Sequence, residues 1–341
     1  MPKKILIISP SWLGDLIMSQ SLYKTLKERD PGARLTIYAP KFLHPIIQRI
    51  PEIDEIMENP FGHGELRLKD RFLEGRKLAA MGFDEAYILA NSIKSALVPF
   101  FAKIRKRTAF RGESRYVLIN DMRTNKQDFP MMVQRYVALA YTKEEVRTGE
   151  DLKGKIPFPS LVCRKDEKLA ERFGLDGAKS YLALGPGANY GPAKLWPVEY
   201  FARVSDFWIS NGGEVIACGS AKDGTIVADI RAKLTADPAR FHDCSGKTNL
   251  LEALDLLAFC RAAVCNDSGL MHTVAACGIP QVTIFGSTST KYTPPLSDKA
   301  LMLESDEPCH PCFERTCKYG TYACLKGILP ERAIDYIKQF I

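Results

Sequence analysis

The chain is predicted to be an α/β protein, two doubly wound parallel-sheet domains in tandem, and three observations predict it. Short apolar runs of about five to eight residues alternate with segments of helical period, the βαβ pattern of a sheet covered on both faces. The alternation stops over Arg147 to Lys168, a polar stretch carrying Pro157 and Pro159, and then restarts. With 341 residues, 46% of them hydrophobic, the chain can bury two ordinary cores, which excludes disorder and a miniature scaffold.

The elements follow in order. Lys4-Ile-Leu-Ile-Ile-Ser9 reads as a buried strand, and Leu16 to Arg29 as a helix stopped by Pro31-Gly32. Leu35 to Ala39 is a second strand, Phe42 to Ile50 and Glu65 to Met81 are helices, and Ala86 to Ala90 is another strand. Past the break come strand Tyr181–Gly185, helix Val198–Ser210 with Pro197 at its first turn, and strand Glu214–Cys218. Leu250 to Phe259 reads as helix, and Ala262–Cys265 and Gln281–Phe285 as strands. Pro330 to Ile341 places Ile334, Ile337 and Phe340/Ile341 on one helical stripe. The domains are accordingly placed at residues 1–160 and 170–328, with a terminal helix at 329–341.

The apolar runs fall well short of the roughly 20 residues that cross a bilayer, and Ile5-Leu-Ile-Ile8 is too short for a signal peptide core, so a cytoplasmic protein is expected. Charge is concentrated. Residues 94 to 126 hold nine basic and two acidic side chains, so this one block equals the net charge of +7 and the rest of the chain is neutral. Such a block predicts a surface that meets an anionic partner.

Open α/β sheets bind ligands beyond the carboxyl ends of their strands, so the strand-to-helix turns are the candidate sites. In Ser9-Pro-Ser-Trp-Leu-Gly-Asp15 a single glycine rules out a dinucleotide fingerprint, and Asp15 is either a base or a helix cap. Gly185-Pro-Gly-Ala-Asn-Tyr-Gly-Pro-Ala-Lys194 has glycines for close approach and a lysine for negative charge, as a phosphate loop needs. Asn266-Asp-Ser-Gly269 begins a helix: Ser268 and the following N–H groups can hold a pyrophosphate, Gly269 admits it, and Asp267 can orient Lys194. His272, one turn on, is either structural or a hydrogen-bond donor to phosphate. Gly219 to Asp223 suits a ribose or purine contact, although Asp223 is equally explained as a helix-start charge.

Several blocks resemble the glycosyltransferase family nine heptosyltransferases: Ser11-Trp-Leu-Gly-Asp15 with Met18-Ser-Gln-Ser-Leu22, Asn91-Ser-Ile-Lys-Ser-Ala-Leu97, Arg111-Gly-Glu-Ser-Arg-Tyr116, Ala193-Lys-Leu-Trp-Pro197 and Asn266-Asp-Ser-Gly-Leu-Met-His272. The likeness spans roughly residues 4 to 295. It implies a GT-B architecture, two facing Rossmann-like domains with a central cleft, the acceptor on the first and ADP-heptose on the second. By the family pattern Asp15 is the candidate general base of an inverting transfer. Lys194, Asp223, Asp267, Ser268, Gly269 and His272 are implied to bind the donor, and Lys94, Arg111 and Arg115 a phosphorylated Hep-Kdo-lipid A acceptor, with heptose added to the first heptose of the lipopolysaccharide core. The Asn-Ser-x-Lys-Ser and Arg-Gly-Glu blocks favour this over the type that adds the first heptose. No cofactor is expected for the chemistry, no nucleic acid as partner, and peripheral contact with the inner face of the cytoplasmic membrane.

Cys309, Cys312, Cys317 and Cys324 have the spacing C-x2-C-x4-C-x6-C, which admits a structural Zn²⁺ or iron–sulfur site or a loop of thiols. Cysteines 163, 218, 244, 260, 265 and 277 are scattered singly and are expected as reduced structural thiols. Two other classes fit the sequence less well. An NAD(P)-dependent oxidoreductase lacks its full glycine fingerprint here, and a nucleic-acid-binding protein would leave the α/β turns without a role.

Overall fold

The computed structural model describes residues 2–62 and 64–341. The chain divides after Pro159 into two compact units. The first runs β1 (Lys4–Ile8), α1 (Leu13–Arg29), β2 (Arg34–Ala39), α2 (His44–Ile47), β3 (Glu55–Glu58), α3 (Leu68–Ala79), β4 (Glu85–Ile88), α4 (Ile93–Phe101), β5 (Lys106–Phe110), β6 (Asp121–Arg123) and α5 (Met132–Ala138). The second runs α6 (Glu167–Phe173), β7 (Tyr181–Gly185), α7 (Val198–Ser210), β8 (Glu214–Ala217), α8 (Gly224–Ala232), β9 (Phe241–Asp243), α9 (Leu250–Leu256), β10 (Cys260–Asn266), α10 (Gly269–Ala276), β11 (Gln281–Phe285), β12 (Ala300–Glu304), α11 (Ala323–Lys326) and α12 (Pro330–Ile337).

Each unit is built on a six-stranded sheet, ordered β3-β2-β1-β4-β5-β6 in the first and β12-β11-β10-β7-β8-β9 in the second, with every pairing parallel. Renumbered from its own first strand, the second sheet has the same 3-2-1-4-5-6 order as the first. The order reverses between β1 and β4 in one unit and between β7 and β10 in the other. There the two flanking helices lie on opposite faces and their first turns leave a crevice. Register brings the strand ends level: Ile8 pairs with Ile88, and Cys265 with Gly185.

The central strands carry the apolar runs because they are covered on both faces, and Ile5 to Ile8 and Tyr181 to Leu184 are all buried. The strands not read from the sequence, β3, β5, β6, β9 and β12, are outer members of their sheets. β3, β5, β6 and β9 carry charged residues, as in Glu55-Ile-Met-Glu58 and Lys106-Arg-Thr-Ala-Phe110, so no apolar run marks them, whereas β12 has the apolar run Ala300-Leu-Met-Leu303. Helix ends also shift. α1 starts at Leu13 and so includes Asp15; the expected 42–50 helix is a 3₁₀ turn at Lys41–Leu43 followed by α2; α3 is shorter than 65–81; and the 250–259 segment ends as 3₁₀ from Leu257. The terminal helix α12 packs through Ala333 and Ile337 into the core of the second unit, beside Trp196, Phe201 and Trp208.

Two of the six scattered cysteines are not reduced thiols, because Cys163 and Cys277 form a disulfide. The segment before α6 bonds to the end of α10, with Leu161 N–H donating to Ala276 O at 2.8 Å, and this brings the two sulfurs together. No helix among the described residues is long and apolar enough to cross a membrane.

Candidate functional site

In the first unit, the turns after β1 and β4 flank the crevice at the reversal of strand order. Asp15 sits in the first turn of α1, and Trp12 occupies the N-cap, which corrects the capping alternative. Its carboxylate Oδ1 accepts a hydrogen bond from the Tyr136 hydroxyl of α5 at 2.9 Å. A half-buried carboxylate held from outside its own helix is fixed in direction, as a base must be. Tyr136 and its neighbour Arg135 were invisible to sequence reasoning because α5 follows no strand-to-helix turn that glycine or serine marks.

The turns after β4 and β5 interlock. Glu113 N–H donates to Asn91 O at 3.1 Å, Ile93 N–H donates to Glu113 Oε2 at 2.7 Å, and Lys126 Nζ donates to Asn91 Oδ1 at 2.9 Å. The approach is close enough that a Cβ on Gly112 would overlap the Asn91 carbonyl, which explains the glycine. Lys94 lies in the first turn of α4 and Arg111, exposed, directly after β5. Burial lowers the Lys126 pKa, and Arg115, Arg135 and Arg111 lower it further. Like charges that suppress one another in this way mark a locus with too much positive charge, suited to an anion.

Arg115 is corrected from an acceptor contact to a buried staple. It donates to Ala90 O, Ser92 O, Ser95 Oγ and Phe110 O, and burial pushes its pKa down to about 10. Arg107 and Arg123 likewise donate to carbonyls, of Leu118 and Ile104 and of Val146, Tyr141 and Thr142. Part of the basic block therefore holds turns together, and Lys94, Arg111 and Lys126 remain beside the crevice.

In the second unit, β7 and β10 end side by side. Asn266 ties their turns, accepting from Trp196 N–H and donating to Pro186 O at 2.6 Å. Lys194 Nζ thereby meets Asp267 Oδ2 at 2.5 Å, and Thr288 Oγ1 donates to the same oxygen at 2.6 Å. Lys194 is 12% and Asp267 4% exposed, so the pair is strongly shielded from water and the ammonium is held in place with two donors left over. Next to it Ser268 is the N-cap of α10, yet its hydroxyl makes no cap bond and is buried without a partner. Ser287 Oγ, in the turn after β11, is also buried and unpartnered. Buried orphan hydroxyls beside a lysine and a helix N-terminus are ready to bond an anion. The Gly286-Ser-Thr288 turn escaped sequence reasoning because it precedes a loop rather than a helix.

His272 is buried one turn into α10, and burial pushes its pKa down to about 4, opposed by Asp267 and reinforced by Lys194. It is therefore neutral near pH 7, with a single N–H to donate. Gly269 opens α10 beside Ser268, where a side chain is absent. Asp223 Oδ2 accepts from the Ser220 N–H and hydroxyl, both at 2.7 Å, and its carboxylate lies where a Cβ on Gly187 would be. That explains Gly187 as a close approach and places Asp223, not the exposed Lys222, beside the Lys194 loop.

The cysteine-rich segment braces this loop. Ala193 N–H donates to Arg315 O at 3.1 Å, Phe313 N–H to Ser287 O at 2.7 Å, and the Tyr190 hydroxyl to Phe313 O. Lys194 and Arg315 both lie over the Tyr190 ring. Cys309, Cys312, Cys317 and Cys324 are free thiols, and among the described residues no three His, Cys, Asp or Glu side chains are gathered closely enough to hold a metal ion. The tetrahedral centre that the spacing admits is not assembled. Cys317 instead faces the N–H groups of Tyr322, Tyr319 and Thr321, which lower its pKa.

Comparison with known proteins gives a consistent result. The sequence model of glycosyltransferase family 9 (heptosyltransferase) matches residues 71–323. The chain is 42% identical over 343 residues to lipooligosaccharide heptosyltransferase 2 of Haemophilus influenzae, covering 99% of each. It is 41% identical to lipopolysaccharide heptosyltransferase 2 of Escherichia coli, over 99% of this chain and 98% of that protein. The solved structure of E. coli ADP-heptose lps heptosyltransferase II superposes with a TM-score of 0.88 at 38% identity, covering 99% of this chain and 98% of the other.

Proposed function

The chain belongs to glycosyltransferase family 9, the heptosyltransferases, and from that premise we infer that it transfers L-glycero-D-manno-heptose from ADP-heptose to the first heptose of the lipopolysaccharide inner core. It is a glycosyltransferase of the α/β GT-B class. The observation that carries the donor assignment is the Lys194–Asp267 pair beside the unpartnered Ser268 hydroxyl at the start of α10. Fixed donors aimed at a departing diphosphate meet its developing charge with little reorganisation, which supports this reading.

The donor diphosphate lies against Lys194, Ser268, the N–H groups that begin α10 and the neutral imidazole of His272. Asp223 takes the ribose. The acceptor, a phosphorylated Hep-Kdo-lipid A, binds the first unit, its anionic groups against Lys94 and Arg111 with Lys126 and Arg135 behind them. Its attacking hydroxyl gives its proton to Asp15 as the new O–C bond forms at the anomeric carbon. The bond from that carbon to the phosphate oxygen breaks on the opposite side, and its electron pair leaves with ADP. Attack on the face opposite the departing ADP inverts the configuration. Because the acceptor carries lipid chains, the enzyme works peripherally at the inner face of the cytoplasmic membrane.

The test is incubation with ADP-L-glycero-D-manno-heptose and mono-heptosylated Kdo-lipid A. The expected result is ADP release that requires the acceptor, with a product one heptose heavier by mass spectrometry. Release without acceptor, or none from folded protein, would overturn the assignment.

A further inference from the structure

We propose that the outward face of α3, with the turn leading into it, is the surface that docks this protein on an anionic lipid bilayer. The idea rests on the lipid-linked acceptor inferred above and deepens it by naming the place of contact.

The helix is inverted relative to an ordinary surface helix. Its buried positions are Arg71, Gly75 and Leu78, whereas Phe72 and Leu73 point to water, and Leu66 and Leu68 just before them are equally exposed. An amphipathic helix on a globular protein hides its large apolar side chains; this one buries an arginine and a glycine and shows a phenylalanine and three leucines within eight residues of chain. Scattered exposed apolar residues need no explanation, but a contiguous group marks an interaction site.

The exposure is built in. Arg71 donates to Glu65 O at 3.1 Å, to Leu66 O at 2.7 Å and to Lys94 O at 3.1 Å, and its guanidinium lies 4.0 Å from the Phe61 ring centroid. These bonds fix the turn that carries Leu66 and Leu68. The Phe72 ring packs edge-on against Phe101 of α4, which packs against Phe100, so the apolar strip continues onto a second helix.

Charge identifies the occupant. Arg67, Lys69, Arg76 and Lys77 surround the apolar group, and Lys103 and Arg105 lie just past the end of α4. The acids nearby are already paired, Asp70 and Glu65 with Arg67 and Glu74 with Lys77, while Lys69 and Arg76 have no carboxylate partner among the described residues. Apolar side chains flanked by unpaired cations match the boundary between acyl chains and anionic headgroups. A second copy on a two-fold axis would set these same cations against each other.

Flotation with vesicles of phosphatidylethanolamine and phosphatidylglycerol tests the proposal, with vesicles of phosphatidylcholine alone as the comparison. Wild type should float with the anionic vesicles only. Leu66→Ser/Leu73→Ser and Lys69→Glu/Arg76→Glu should each lower the bound fraction by roughly tenfold or more while keeping turnover of a deacylated, water-soluble acceptor. Equal flotation of wild type and both variants, or no flotation of wild type, overturns it, as does concentration-dependent dimerisation in sedimentation that the same variants abolish. Turnover of the soluble acceptor is read separately, so failure of the enzymatic assignment is visible as its loss with flotation intact.

Discussion

His272 shows how the proposed donor seat depends on burial of single side chains. Its pKa falls from an ordinary 6.5 to about 4. Between those values the unfolded chain binds a proton that the folded protein refuses, so stability is full above about pH 6.5 and declines as pH falls toward 4, by roughly 3 kcal/mol at order of magnitude. Thermal melts at pH 7.5 and pH 5 should show this loss, and His272→Gln should flatten the dependence; an unchanged slope would contradict it. Lys194→Met leaves Asp267 as a buried carboxylate without its cation, which costs about 3 kcal/mol or more. It should also weaken ADP binding in calorimetry, and Lys194→Met/Asp267→Asn should recover stability without recovering ADP affinity. Which residues stand at these points was legible in sequence: Asp15, Lys194, Asp267, Ser268 and His272 all lie in or one helical turn past the strand-to-helix turns. Tyr136, Ser287 and Thr288 were not, since a partner supplied by a distant helix or by a turn into a loop has no local pattern.

At the scale of elements, the turns of the first unit are held by buried arginines whose charge is turned inward. Arg115 serves the turns after β4 and β5 together through Ala90, Ser92, Ser95 and Phe110. Arg115→Met should therefore leave several buried carbonyls without donors and cost about 2–4 kcal/mol in denaturant unfolding, with increased hydrogen exchange over 111–116. A neutral outcome would mean that water satisfies those groups. Sequence patterning cannot separate such an arginine from a surface one, because both appear in the same basic block. Central strands were legible through their continuous apolar runs, whereas β5, β6 and β9 were lost because strands toward the sheet margins carry lysine, aspartate or histidine; β12, Ala300-Leu-Met-Leu-Glu304, was missed despite its apolar run.

For the whole molecule, one strand order used twice puts every proposed reacting group at a strand's carboxyl end or on a helix packed there. The tandem α/β plan was readable from alternation and the polar break, but the Cys163–Cys277 disulfide was not, because the sequence separation of 114 hides a contact made only when α10 is in place. In the chain-entropy view a loop of that length is worth about 4–5 kcal/mol. Reductant or Cys277→Ser should lower the melting temperature of the second unit and leave that of the first; no change would show the bond contributes nothing in solution. Asp15, directed by Tyr136, is proposed as the base of heptosyl transfer, and acceptor-dependent ADP release by wild type and Asp15→Asn, measured side by side with ADP affinity, decides whether it is. Turnover should fall by about 10²–10⁴-fold in Asp15→Asn with ADP affinity and fold unchanged. Turnover in Asp15→Asn equal to wild type would contradict it.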